Sequence, residues 1–201
     1  MHILYYLLCA VGGYLIGSIS VSVLLSRLLF GGDVRKQGSG NAGAANVARV
    51  LGFWAGALTF LGDCIKGVLA MWLGKLLCGD IGLCVAGVAC LLGHCFPIYF
   101  RFKGGKAVST GAAVALMLDW RLFLIAIAVF ALMALIFRTA SVSSMSAAVA
   151  VAVCAPIFTR EPALLVLSTF AALLVLVMHR ANINRLLHHT EPKFHLGHRQ
   201  K

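Results

Sequence analysis

Residues 3–30 read ILYYLLCAVGGYLIGSISVSVLLSRLLF, and residues 36–49, shortly beyond them, read KQGSGNAGAANVAR. The first stretch carries a single charge, Arg27, and is long enough to cross the ~30 Å hydrocarbon core of a bilayer, which takes ~20 residues. The second has glycines at 38, 40 and 43 and no bulky side chain before Val47. Successive amide groups in glycine turns form a nest that binds anions. Asn41 or Asn46 can cap a helix running on through Arg49, whose N-terminal end favours phosphate. Ser39 adds a hydroxyl, and Arg35, Lys36 and Arg49 add charge. The stretch lacks the G-x-x-x-x-G-K-[ST] pattern of a P-loop. A flexible linker, or close helix packing through small residues, is the plainer alternative.

The remainder of the chain repeats the apolar half of that pattern. Of its 201 residues, 61% are hydrophobic and 11% charged, where a soluble domain carries roughly 25% charged residues. Apolar segments fall at 3–30, 52–77, 81–100, 107–118, 122–138, 141–158 and 162–179. The expected fold is therefore an all-α polytopic membrane protein of seven transmembrane helices, the fourth short, in one domain over 1–201. Residues 3–30 are apolar for too long to be a signal peptide and lack a cleavage site. With seven spans, thirteen of the 17 Lys and Arg share one side, the tail's Arg199 and Lys201 among them. That asymmetry predicts a cytoplasmic C-terminus and an N-terminus outside. The net charge of +11 suits an anionic leaflet or anionic substrates. No basic helix or aromatic-basic surface lies outside the bilayer, so nucleic acid is not an expected partner. The seven cysteines sit in or beside apolar segments, where thiols behave as small hydrophobes. They lack the paired ligand sets of a zinc site, so neither a metal nor another cofactor is expected.

Two more polar patches fall on the same side. In RFKGGK, 101–106, Gly104 and Gly105 permit a sharp turn with Lys106 at the start of the next helix; a basic loop with a turn is the alternative. In HRANINR, 179–185, His179, Asn182 and either Arg185 or the following Leu186 share a helical face at i, i+3 and i+6/i+7, with Arg180 and Asn184 pointing elsewhere, unless this is simply a solvated helix end. Asp63 and Lys66 lie three apart inside the second segment, where charges face a protein interior or a wet cavity. They either pair with each other or meet a substrate. His94 reads as a packed, hydrogen-bonding residue. Together the patches describe a shallow cationic site for phosphate-bearing substrates and a lipid partner. A transporter or channel for a small phosphorylated anion is the rival, though such proteins commonly show inverted repeats and a midplane site; no repeat occurs here.

Several motifs in order carry a resemblance: GSI at 17–19 with Arg27, DVRKQGSGNAGAANVARVLG at 33–52, DCIKG at 63–67, GHCFPIYFRFKGGKAVSTG at 93–111 and HRANINRLLHHTEPK at 179–193. Over nearly its whole length the chain resembles the bacterial acyl-phosphate:glycerol-3-phosphate acyltransferases of the PlsY type. That resemblance implies a seven-helix protein of the bacterial inner membrane with its site at the cytoplasmic face. It implies acyl phosphate and glycerol 3-phosphate as substrates, and lysophosphatidic acid and phosphate as products, in the first acylation step of phospholipid synthesis. The implied catalytic residues are Ser39, Lys106, His179 and Asn182. The implied substrate contacts are Gly38, Gly40, Asn41, Gly43, Asn46, Arg49, Gly104, Gly105, Arg180, Asp63, Lys66 and Glu191. This chain departs from the family's common pattern at Ser20 (often Pro), Ala45 (often Thr) and His189 (often Gly). The H-x-x-x-x-D of CoA-dependent acyltransferases is missing, since Tyr99 follows His94 and Asn184 follows His179 at that spacing.

Overall fold

The computed structural model describes residues 2–193; Met1 and residues 194–201, with Arg199 and Lys201, lie outside the described part. Helix α1, His2–Gly17, is followed by α2, Val21–Phe30. The apolar run expected as one span is thus broken at Ser18–Ser20. The break leaves the Ile19 carbonyl free of the helix ladder, and it accepts a hydrogen bond from Lys66 Nζ at 2.5 Å. Gly31, left-handed at φ +64°, ends α2. After a loop and a short 3-10 turn comes α3, Ala44–Leu51, then the long α4, Phe53–Cys95. Cys78 and Gly79 are non-helical inside α4, and the chain doubles back there. Gly74 and Gly82 face each other so closely that a methyl on either would overlap the other's carbonyl. The two legs correspond to the separate segments expected on either side of residue 79.

Helices α5, Val108–Leu118, α6, Trp120–Phe137, α7, Ala140–Phe158, α8, Pro162–Met178, and α9, Arg180–Leu187, complete the described chain. Among the described residues, four stretches are long and apolar enough to cross a membrane: 3–30, 53–100, 120–137 and 140–158. A fifth is added if α8 and α9, bent by 54°, count as one. Length and apolarity alone therefore give four or five crossings rather than seven. The difference lies in α4, counted once though it folds back on itself, and in α5, whose eleven residues reach only ~16 Å.

Small residues let these helices approach. Gly13 and Gly17, four apart on α1, lie against the backbones of Ala86 and Cys90 on α4, the close packing that membrane helices use where lipid offers no hydrophobic drive. Met71, Leu83, Leu91, Val114, Leu167 and Val175 fill the centre. A second cluster, with Leu122, Ala126, Ala147 and Val151, joins α6 to α7. Outward faces carry exposed Ile3, Leu28, Trp54, Trp120 and Leu135, suited to lipid.

This packing makes a paired prediction. Gly17→Ala forces a methyl into the Cys90 backbone and should lower thermal unfolding in detergent, by about 1–3 kcal/mol. Gly12→Ala, with nothing within 4 Å of its new methyl, should leave the transition unchanged or slightly raised.

Candidate active site

The glycine-rich loop is knotted by its own polar groups. Asp33 accepts from the Arg35 amide at 3.0 Å and pairs with the Arg35 and Arg27 guanidinium groups at 2.7 and 3.2 Å. Arg35 Nη1 reaches across to donate to the carbonyls of Phe100 and Lys103 at 2.8 and 3.1 Å, fixing this loop to the next. Gly38 and Gly40 sit at φ +58° and +72°, a region open to glycine and strained for other residues. Asn46 is buried; its Oδ1 accepts the Ser39 amide at 2.8 Å while its NH₂ donates to the carbonyls of Val34 and Gln37, each at 3.1 Å. It holds the loop, and its amide is committed to the chain rather than offered to a substrate. The expected asparagine cap is absent too. Gly43 stands at the N-cap of α3 without a side-chain hydrogen bond. The amides of Ala44 and Ala45 begin the helix and lack intrahelical acceptors, and both residues line the cavity described below.

The second loop is laid on the end of α4. The amides of Gly104 and Gly105 donate to the carbonyls of Cys95 and His94 at 3.2 and 3.0 Å. Arg101, Phe102 and Ala107 all take φ near +58°, a cost of order 1–3 kcal/mol each that persists only where neighbours dictate it. Lys106 lies between the last of these and Gly105, and its ammonium donates to Asn182 Oδ1.

The third patch is a hinge where a continuous helix was expected. His179, with ψ +8°, separates α8 from α9. Its Nδ1 lies 2.8 Å from the Val175 carbonyl. Asn182 Nδ2 donates to Glu191 Oε1 at 2.6 Å, and Arg185 Nε to Glu191 Oε2 at 2.8 Å. Both carboxylate oxygens of Glu191 are thereby engaged by the protein. His189 takes φ +55°, a conformation that suits the glycine common there in the family it resembles.

A cavity of about 790 Å³ gathers these parts. Ser39, Lys106, His179 and Asn182 all line it, with Gly38, Asn41, Gly43, Asn46, Arg49 and Glu191. Arg185 lines it as well, on the helical face that the spacing from His179 and Asn182 predicts. Gly40, Gly104, Gly105, Arg180, Asp63 and Lys66 are not on its wall. Gly40 and Arg180 are exposed, and the two loop glycines are bonded through their amides to the end of α4. Asp63 and Lys66 are 1% and 6% exposed and pair with each other at 2.7 Å, as their spacing allows. Away from the polar end the walls are apolar, with Phe60, Val114, Phe130, Val151 and Val175. Phe53 and Ile127 line the cavity and yet are 72% and 47% exposed, so the apolar end opens onto the lipid-facing surface.

Charge at the polar end is strongly one-sided. Burial, reinforced by the nearby Arg185 and Arg49 charges and opposed by Glu191, lowers the Lys106 pKa to about 8. Burial pushes the Glu191 carboxyl up, but hydrogen bonds from Asn182 and Arg185 outweigh it and hold it below the ordinary value.

The family model for glycerol-3-phosphate acyltransferase matches residues 7–189. The chain is 42% identical over 180 residues to the glycerol-3-phosphate acyltransferase of Bacillus subtilis (strain 168), covering 90% of this chain and 93% of that one. It is 38% identical over 190 residues to that of Thermoanaerobacter pseudethanolicus, covering 94% and 96%. Crystal structures of PlsY (YgiH), an integral membrane glycerol 3-phosphate acyltransferase, superpose with TM-scores of 0.89 for the glycerol 3-phosphate form and 0.87 for the lysophosphatidic acid form. Sequence identity is 33% and 32%, and the matches cover 94% of this chain and 96% and 95% of those.

The charge balance gives a pH prediction. Lys106 is a cation below about 8 and loses its charge above. A phosphomonoester, whose second ionisation at about 6 is complete by then, should bind progressively more weakly as pH rises from 7.5 to 9.5. Lys106→Arg, which keeps its charge throughout, should flatten that decline; isothermal titration in detergent reads both.

Proposed function

The chain belongs to the glycerol-3-phosphate acyltransferase family, and we propose that it transfers a fatty acyl group from acyl phosphate to the 1-hydroxyl of sn-glycerol 3-phosphate. The products are lysophosphatidic acid and inorganic phosphate. One domain over 1–201 carries the reaction, in a bacterial inner membrane. It crosses seven times, with its N-terminus outside, its C-terminus in the cytoplasm and the cavity at the cytoplasmic face. The observation that carries this reading is the two-ended cavity: polar and cationic residues from three separate stretches at one end, and apolar walls at the other.

An acyl phosphate is a mixed anhydride with a good leaving group, so the chemistry needs placement and charge stabilisation more than a covalent nucleophile. Ser39, the uncapped amides of Ala44 and Ala45, and Lys106 face the acyl-phosphate group. Arg49, Lys106, Asn182 and Arg185 hold the glycerol phosphate; Arg185 takes the place assigned to exposed Arg180. Because a carbonyl only accepts, the Nδ1 of His179 beside Val175 O carries the ring hydrogen. The neutral ring therefore presents the Nε2 lone pair to the substrate hydroxyl and orients its oxygen. That oxygen attacks the acyl carbon, the bond from the carbon to the phosphate oxygen breaks, and the departing phosphate takes the hydroxyl proton. The fatty chain stays in the apolar end, among Phe53, Phe60, Phe130 and Val151.

Purified protein with palmitoyl phosphate and glycerol 3-phosphate should release lysophosphatidate and phosphate, and palmitoyl-CoA should not substitute. Ser39→Ala, Lys106→Ala and His179→Ala should each lose on the order of 10²–10³ in kcat with the protein still folded. Full turnover in all three would remove the site assignment, while glycerol 3-phosphate uptake into vesicles without acylation would favour transport.

Orientation has its own check. Green fluorescent protein fused after Lys201 should fluoresce, and alkaline phosphatase fused there should stay inactive.

A further inference from the structure

The proposed reaction leaves one buried charged cluster unused. Asp63, Lys66 and His94 are 1%, 6% and 6% exposed and come from both legs of α4. The Lys66 ammonium has three neighbours: the Ile19 carbonyl at 2.5 Å, Asp63 Oδ1 at 2.7 Å and His94 Nδ1 at 3.1 Å. An ammonium only donates, so His94 Nδ1 accepts and the ring hydrogen sits on Nε2. That Nε2 edge occupies the space a side chain on Gly105 would fill, with the Ala42 carbonyl of the glycine-rich loop on the same site's other side, 2.9 Å from the would-be methyl. The His94 carbonyl also accepts the Gly105 amide at 3.0 Å. Gly105 is therefore held by His94 through both its backbone and its ring, at the point where the two anion-gripping loops meet, and the next residue is Lys106.

From this geometry we propose that Asp63, Lys66 and His94 are positioning residues. The ion pair fixes the His94 ring, the ring sets Gly105 against Ala42, and Gly105 sets Lys106 relative to Ser39. The inference rests on the acyl-transfer reading. His94 also lies on the cavity wall; the role assigned to the cluster is placement of Gly105 and Lys106, with no proton transfer. A cluster that served only to hold the fold would, when disturbed, reduce the amount of active protein and leave the KM of the remainder alone. A positioning cluster moves KM in molecules that remain folded.

The test compares the parent with His94→Gln and with the charge-neutral double variant Asp63→Asn/Lys66→Met. Turnover is measured with palmitoyl phosphate and glycerol 3-phosphate, glycerol 3-phosphate binding by calorimetry, and folding by thermal unfolding. Both variants should raise the KM and Kd for glycerol 3-phosphate by about tenfold or more, the scale on which small misplacements act. Parental KM and Kd in the folded variants would overturn the proposal. A second arm covers variants that do not fold. Gly105→Ala drives a methyl into the ring and should raise KM, and adding His94→Ala should return part of the loss by vacating that space. A double variant no better than Gly105→Ala alone would also overturn it. Absence of acyl transfer by the parent would instead remove the reading on which the proposal rests.

Discussion

A single ammonium group at membrane depth ties together parts of the chain that are far apart in sequence. Lys66 meets the broken first helix at Ile19, its own helix at Asp63 and the returning leg at His94. Ions are costly to bury, and removing one partner of such a pair costs about 3–5 kcal/mol, because the other is left uncompensated. The constraint works in both directions. The helix break at Ser18–Ser20 supplies a free carbonyl that an apolar surrounding could not tolerate, and the lysine supplies a donor that could not otherwise be housed. Each makes the other admissible, and the first helix is thereby locked to both legs of α4, where Gly13 and Gly17 already bring it to backbone distance.

The same rule governs the irregular backbone elsewhere. In lipid, a peptide group outside a helix is accepted only if the protein or a wet cavity satisfies it. The loop around Ser39 is closed by Asn46, the loop before Lys106 is closed by the carbonyls of residues 94 and 95, and the hinge at His179 is closed on Val175. Each closure uses up polar groups on one flank and turns those that remain toward a common centre. Convergence of the three patches is thus a consequence of how each loop is satisfied.

Hydropathy made the helical segments legible, including the return at residue 79. Glycines flanked by cations made two of the three loops legible, and the motif order marked the family. What escaped the sequence depends on distant partners. GSIS signals a helix break only weakly inside so apolar a run, and the residue that stabilises the break lies 47 positions away. Asn46 looks like a cap or a ligand until the carbonyls of Val34 and Gln37 are seen to consume its amide. The helical face itself was legible, since Arg185 lines the cavity with His179 and Asn182 while Arg180 does not, but the bend at His179 and the return of Glu191 onto that face were not. Ala45 shows the opposite case: it lines the cavity, so the hydroxyl usual at that position in the family would have faced the site, and here the loop relies on Ser39 and bare amides.

Electrostatics and geometry meet at Asn182. Its NH₂ donates to Glu191, so its oxygen is the atom presented to Lys106, and the orientation of that amide is set by the carboxylate. Glu191 in turn is held by Arg185, and the chain reaches it only by placing His189 in a left-handed conformation. Lys106 sits in the repulsive field of Arg185 and Arg49, with Glu191 as the nearby countercharge. A dianionic phosphate entering beside Lys106 relieves that repulsion and favours the ammonium form at the same step. Binding and protonation are therefore coupled in the favourable direction. The cations around Lys106 are kept together by the scaffold, so its buried polar contacts are as consequential here as the groups that face the cavity.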